Sequence, residues 1–307
     1  MDSSIMGELF DMSSVYIVWN PTSGSGAGNS AYQKVTAELD ARGIAFSSGM
    51  TEYRGHATKL VENAVKDGFK RVIVLGGDGT IRESAIPLVN TDVVIGIIPC
   101  GSGNDLVRPL GIPSDVSSAL DFALSDTFRK MDVGLANDKL FFNAAGFGFD
   151  VDVLENMDLF RQKGFKGSFA YLLGLFKSLS HLTLRHCEIR TPEGEMTKNA
   201  LLVCAANGTH IGGGMNVAPG SDPFDGKFNV CILHDVTSAT VPALLAKFLR
   251  GKHTESKHCT YFQTTQLDIT CEPESMLELD GEIMKGTPVS FKLLPGALLL
   301  AGPRTQE

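Results

Sequence analysis

The chain has 307 residues, 43% hydrophobic and 20% charged, with a formal net charge of −8. That length exceeds the roughly 100 to 200 residues of one typical domain, so two domains are expected, and the composition excludes a largely disordered or collagen-like chain. The negative charge argues against nucleic acid as a partner, because a phosphate backbone is held by a basic face. No stretch reaches the roughly 18 to 20 apolar residues of a membrane-spanning helix, and the opening MDSSIMGELF lacks a signal-peptide pattern, so a cytoplasmic location is expected.

From the amino end, the β-branched run VYIVWN at 15–20 stops at Pro21 and a Gly/Ser-rich loop, which reads as a buried strand running into a turn. Helices are predicted over Ser30–Arg42, Gly55–Lys66 and Ser117–Leu124, with strands over Ala45–Ser48, Arg71–Leu75 and the run VVIGIIP at 93–99. This alternation predicts an α/β domain with a parallel, doubly wound sheet. After about Met131 the texture changes to short apolar runs, KLFFNAAGFGF, ALLVCAANG, KFNVCIL, QLDITC and PVSFKLL, which read as strands of a mostly antiparallel, sandwich-like β domain. The expected division is 1–134 and 135–295, with the tail 296–307 returning to the first domain. Within the second part, Phe165–Leu179 carries apolar residues at helical spacing beside Arg161, Lys163, Lys166 and Lys177. It reads either as a helix packed on the sheet or as one lying on an anionic membrane. The six cysteines are scattered with no close pair, and the seven histidines form no HExxH-type grouping, so hard cations held by carboxylates are better candidates than transition metals.

Three glycine-rich loops each follow a predicted strand. The first, NPTSGSGAG at Asn20–Gly28, can present N–H groups and a helix N-terminus to phosphate, or can be a plain turn; it lacks the GK[ST] ending of a P-loop. The second, GGDGT at Gly76–Thr80, sets Asp78 among glycines at the carboxyl end of a parallel strand, where such sheets bind ligands and a carboxylate can orient Mg²⁺ on a polyphosphate. The third, PCGSGNDLVR at Pro99–Arg108, adds Ser102, Asn104, Asp105 and Arg108 to the same sheet edge. Asn and Asp there can cap the next helix, but three such strand exits together look like a nucleotide-phosphate site.

Taken together, NPTSG, GGDGT, GSGNDLVR and a late DGE resemble the diacylglycerol kinase catalytic family, particularly its soluble bacterial members, over nearly the whole chain. The GGDGT loop alone is shared with NAD kinases. The resemblance implies ATP and Mg²⁺ as cofactors. It places ATP against Asn20, Pro21, Thr22, Ser23, Gly24, Thr51, Gly77, Gly79, Thr80 and Ser102, with Asp78 at the Mg²⁺ and Asn104, Asp105, Arg108 and Asp132 in the polar surroundings. It further implies that Glu282 is the general base, supported by Asp280, and that the turn APGSDPFDGKF holds a structural cation through the Asp225 carboxylate and the carbonyls of Asp222 and Lys227. Two departures stand out: Ser102 where the family often has Thr, and Arg82 where it often has Asn. His210 and Gly212–Gly214 are candidates for lining the acceptor cleft.

The function expected is transfer of the ATP γ-phosphate to a lipid alcohol, diacylglycerol first, as a step of phospholipid metabolism. The partners expected are the lipid and, peripherally, the membrane surface; a homodimer is left open. The rivals are an NAD-kinase-like enzyme with a soluble acceptor and a non-catalytic nucleotide- or lipid-binding regulator.

Overall fold

The structure, a computed structural model, describes residues 14–165, 173–174, 177–178 and 182–303. Among them no helix is long and apolar enough to cross a membrane. Most of the expected helix at Phe165–Leu179 lies outside the described residues. The chain divides into two units: one built from residues up to Val107, Gly111–Met131 and the chain end from Gly296, the other from Arg108–Leu110 and Asp132–Pro295.

In the first unit the strands are β1 (Val15–Trp19), β2 (Phe46–Met50), β3 (Arg71–Gly76) and β4 (Val94–Pro99), all parallel in the order β4-β3-β1-β2. Val15, Ile17, Ile73, Leu75 and Ile98 are buried against Ala31, Val35 and Leu39 of helix α1 (Ala27–Ala41) and against Ala119, Leu120 and Ala123 of α4 (Val116–Ala123). Ala57, Val61 and Ala64 of α2 (His56–Lys66) are also buried, at the i, i+4, i+7 spacing of an inward helix face. Helix α3 (Asp78–Ala85) begins inside the second glycine loop. The expected doubly wound α/β character is borne out. Helix α1, however, starts three residues before the sequence suggested, because left-handed Gly26 turns the chain directly into it.

The second unit is predominantly antiparallel. Its elements are β5 (Phe128–Ala136, whose first residues belong to unit 1), β6 (Lys139–Phe141), β7 (Ala144–Gly148), helix α5 (Phe149–Gln162), β8 (Arg185–Thr191), β9 (Gly194–Ala206), β10 (His210–Ile211), β11 (Met215–Asn216), β12 (Phe228–His234), helix α6 (Val241–Phe248), β13 (Cys259–Thr264), β14 (Gln266–Glu272), β15 (Leu277–Leu279), β16 (Glu282–Met284) and β17 (Val289–Ala301). Strand β9 is the spine: its first half pairs with β8 and its second half with both β7 and β12. Phe141, Phe147, Phe228 and Phe291 fill the core, with Phe141 stacked on Phe228 at 5.6 Å and edge-on to Phe291 at 6.1 Å. The far end of β17 leaves this unit and runs parallel to β4, Leu299 opposite Val94.

Candidate functional site

In unit 1 the three glycine loops leave the carboxyl ends of β1, β3 and β4, which are neighbouring strands. They are tied to one another by named contacts. Asn20 holds the first loop: its N–H donates to Leu75 O at 3.0 Å, its Oδ1 accepts from Thr22 N and Oγ1 at 3.0 and 2.9 Å, and its Nδ2 donates to Thr80 Oγ1 at 3.1 Å. Gly24, at φ 56°, passes so close to the third loop that a Cβ would lie 2.2 Å from Cys100 O. Between the second and third loops the backbones touch, since a Cβ on Gly101 would lie 2.6 Å from Gly77 Cα, and Cys100 N–H donates to Gly76 O at 2.8 Å. Only glycine permits such approach. Asn104, at φ 51°, closes the third loop on itself by donating to Gly101 O at 2.9 Å and accepting from Gly101 N at 3.1 Å.

Asp78 is the first residue of α3, and its Oδ1 accepts from Leu106 N at 3.2 Å. Burial pushes its carboxyl above the usual range; the Leu106 N–H pulls the other way, and the charge of nearby Asp105 raises it further. Asp105 is itself buried. A half-buried carboxylate beside a buried one is a donor set suited to a hard divalent cation. Ser102 is exposed on the same loop, and Thr51, just after β2, donates its N–H to Trp19 O at 2.9 Å. Glu83, which the sequence reading passed over, anchors the segment after Thr51: its Oε1 accepts from Gly55 N at 2.8 Å and its carbonyl from Thr58 Oγ1 at 2.8 Å.

The second unit holds the remaining candidates. Asp280 and Gly281 form the two-residue turn between β15 and β16, both at positive φ, the Asp-Gly geometry that suits the twist of a hairpin. Asp280 is an anchor: one oxygen accepts from Phe142 N at 2.8 Å, the other from Asn143 N at 2.9 Å and Ala144 N at 3.1 Å, while its own N–H donates to Ala144 O at 3.0 Å. Both carboxylate oxygens thus accept backbone N–H groups, which ties the hairpin to residues 142–144. Gly281 N–H donates to the buried Glu278. Glu282 follows, half-buried, opposite Leu279.

Asn143 is a further residue the sequence reading did not single out. Its Nδ2 donates to His210 O at 2.8 Å, its carbonyl accepts from Asn207 N and Gly208 N at 2.8 and 2.7 Å, and its Oδ1 is buried with no hydrogen-bond donor among the described residues. The available signal was an amide inside the apolar run LFFNAAGF.

Arg108 groups with unit 2, where its guanidinium faces Gly214; a Cβ there would lie 3.3 Å from Nη2. The acidic turn is closed by the protein's own donors. Asp222 accepts from Phe224 N at 3.1 Å, Asp225 from Lys227 N at 2.9 Å and Gln263 Nε2 at 3.1 Å, and the Asp222 carbonyl from Asp225 N at 3.3 Å. Asp132, buried beneath, accepts from Gly226 N at 2.7 Å. Each Asp225 oxygen thus accepts one hydrogen bond, and the Asp222 carbonyl another. Among the described residues no group of three His, Cys, Asp or Glu side chains is placed to hold a metal.

A family model described as the diacylglycerol kinase catalytic domain matches residues 14–136, and one described as the YegS C-terminal NAD kinase beta sandwich-like domain matches 143–302. The chain is 30% identical over 279 residues to a diacylglycerol kinase of Bacillus subtilis, covering 90% of this chain and 91% of that protein. It is 29% identical over 290 residues to a diacylglycerol kinase of Staphylococcus haemolyticus, covering 94% and 88%. A crystal structure of a diacylglycerol kinase from Bacillus anthracis shares the fold, with a TM-score of 0.74 at 22% identity over 95% of this chain and 97% of that one.

Proposed function

This chain belongs to the diacylglycerol kinase family of ATP-dependent lipid kinases, and from that premise we propose that its acceptor is diacylglycerol, phosphorylated at a membrane surface. The observation that carries the reading is the set of three mutually tied glycine loops at the ends of β1, β3 and β4, with half-buried Asp78 and buried Asp105 beside them. Loop N–H groups, Ser102 and Thr51 bind and orient the ATP phosphates and nucleoside, holding the γ-phosphoryl group for in-line attack. Asp78, with Asp105, would hold Mg²⁺, which supplies neutralisation of charge on the phosphates. Glu282 takes the proton of the acceptor hydroxyl; the hydroxyl oxygen forms its bond to the γ-phosphorus as the bond to the β-phosphate oxygen breaks, and ADP leaves with that electron pair. Asp280 fixes the backbone that presents Glu282. A half-buried carboxylate on a two-residue hairpin suits a base that must be held in place and yet reached by a lipid hydroxyl.

The test is label transfer from γ-labelled ATP into a panel of micellar diacylglycerol, phosphatidylglycerol, a polyprenol and a sphingoid base, with NAD alongside. Labelled phosphatidic acid as the main product is expected. A main product in another lipid replaces the acceptor, and label in NAD alone overturns the reading.

A further inference from the structure

Helix α6 is apolar on two sides. Its inner stripe, Leu244 and Phe248, is buried in a core cluster with Leu233 and Val236 of the same unit. Its outer stripe is Pro242, Leu245, Ala246 and Leu249, at the i, i+3, i+4, i+7 spacing of a continuous helix face. Of these, Pro242, Ala246 and Leu249 are exposed and Leu245 half-buried, and Leu249 has 63% of its surface open to solvent, above the other exposed large apolar residues among those described. Exposed Arg250 borders the stripe, exposed Lys247 lies further round the same flank, exposed Lys252 and Lys257 follow in the turn after the helix, and Glu255 is the one acid between Val241 and His258. None of these four cations takes part in an ion pair among the described residues. With four cations and one acid, this segment is locally cationic on a chain of net charge −8.

We propose that the outer face of α6 with the following turn, Pro242–Lys257, is the surface by which the enzyme docks on an anionic phospholipid bilayer. The inference deepens the lipid-kinase reading and rests on it. Leu245 and Leu249 supply the apolar insertion, and Lys247, Arg250, Lys252 and Lys257 meet the lipid phosphates, the combination by which a short helix lies in a membrane interface. The same charges argue against a second copy of this chain as the occupant, because a twofold pairing through α6 would bring two identical cationic rims together. The basic rim also offsets the repulsion that the acidic average surface would feel at an anionic leaflet.

The full chain is sedimented with vesicles of phosphatidylcholine alone and of phosphatidylcholine mixed with phosphatidylglycerol, at low and high salt, beside a Lys247→Glu/Arg250→Glu/Lys252→Glu variant and Leu249→Ser. Each basic residue near such a surface contributes roughly fivefold in binding, so the triple variant is expected to lose at least about tenfold on the anionic vesicles. Leu249→Ser is expected to lose severalfold, and high salt to release the wild type. Both variants keep wild-type turnover of diacylglycerol in detergent micelles and wild-type melting temperatures. Wild-type binding to the anionic vesicles by both variants, or no binding by the wild type, overturns the proposal. So does a dimer that Leu249→Ser converts to monomer while vesicle binding stays. Absence of any lipid product in micelles would instead strike the lipid-kinase reading, leaving the vesicle result to stand or fall by itself.

Discussion

Asp280 is held at φ 49° with three backbone N–H groups from residues 142–144 directed at its carboxylate. Removing an acceptor from buried donors leaves their desolvation uncompensated, so Asp280→Ala is expected to cost about 1–3 kcal/mol of stability and to lower turnover through a displaced hairpin. Chemical unfolding read beside kcat checks both. Glu282→Gln keeps the shape of the side chain and is expected to keep the wild-type melting temperature. Asp78 shows the opposite trade. Its folded-state carboxyl is raised by burial, so its contribution to stability is fully present below the unfolded value of 3.8 and is lost as pH rises through the folded value; at neutral pH the ionised, metal-free side chain destabilises the fold. Asp78→Asn is therefore expected to raise the metal-free melting temperature at neutral pH, by about 2–4 °C per kcal/mol relieved, while abolishing Mg²⁺-dependent turnover. A lower melting temperature than wild type under those conditions would contradict the account.

Among the elements, the three glycine loops depend on glycine at places where two backbones meet. A Gly24→Ala substitution puts a Cβ against the Cys100 carbonyl, which cannot rotate away, at a φ that costs a non-glycine residue about 1–3 kcal/mol. It is expected to raise KM for ATP and leave Glu282 and the β unit unaffected, so that unfolding of the two units can be compared. These loops were legible in the sequence because their signal is local: glycines, an Asp and an Asn directly after an apolar strand. Strand β8 was not, because it alternates buried and exposed residues and its exposed half is charged, leaving no apolar run. Helix α6 was missed for a different reason: its short segment carries two apolar stripes and so lacks a single polar face. His253, in the turn that follows, is buried, with its ring 4.5 Å from that of Phe248 and tilted 39° to it, and is bonded through Nε2 to Val217 O. Burial lowers its proton affinity, with the Val217 carbonyl opposing. Its stability contribution is thus present above the unfolded value of 6.5 and lost as pH falls towards the folded value. The melting temperature is expected to fall as pH drops below about 6.5, and His253→Gln to flatten that part of the profile.

For the whole molecule, the division of labour between an α/β unit and a predominantly antiparallel unit was visible as a change of texture near Met131. What the sequence could not display was which polar residues act and which support. Asp280 and Glu282 are two residues apart in one motif, yet Asp280 is committed to amides 136–138 positions earlier in the chain, a pairing that only the folded sheet brings about. The acidic turn at 222–227 is likewise closed by Gln263 and its own amides, partners that only the fold displays. Arg108 follows the third loop in sequence, and its guanidinium faces Gly214, a neighbour that only the fold brings near.

The central claim is that this lipid kinase moves the acceptor proton through Glu282, and single-turnover transfer from γ-labelled ATP to micellar diacylglycerol tests it most directly. Wild type is expected to give labelled phosphatidic acid, and Glu282→Gln, at the same melting temperature and ATP affinity, a rate lower by about 10²–10⁴. Equal rates from the two proteins would contradict the account.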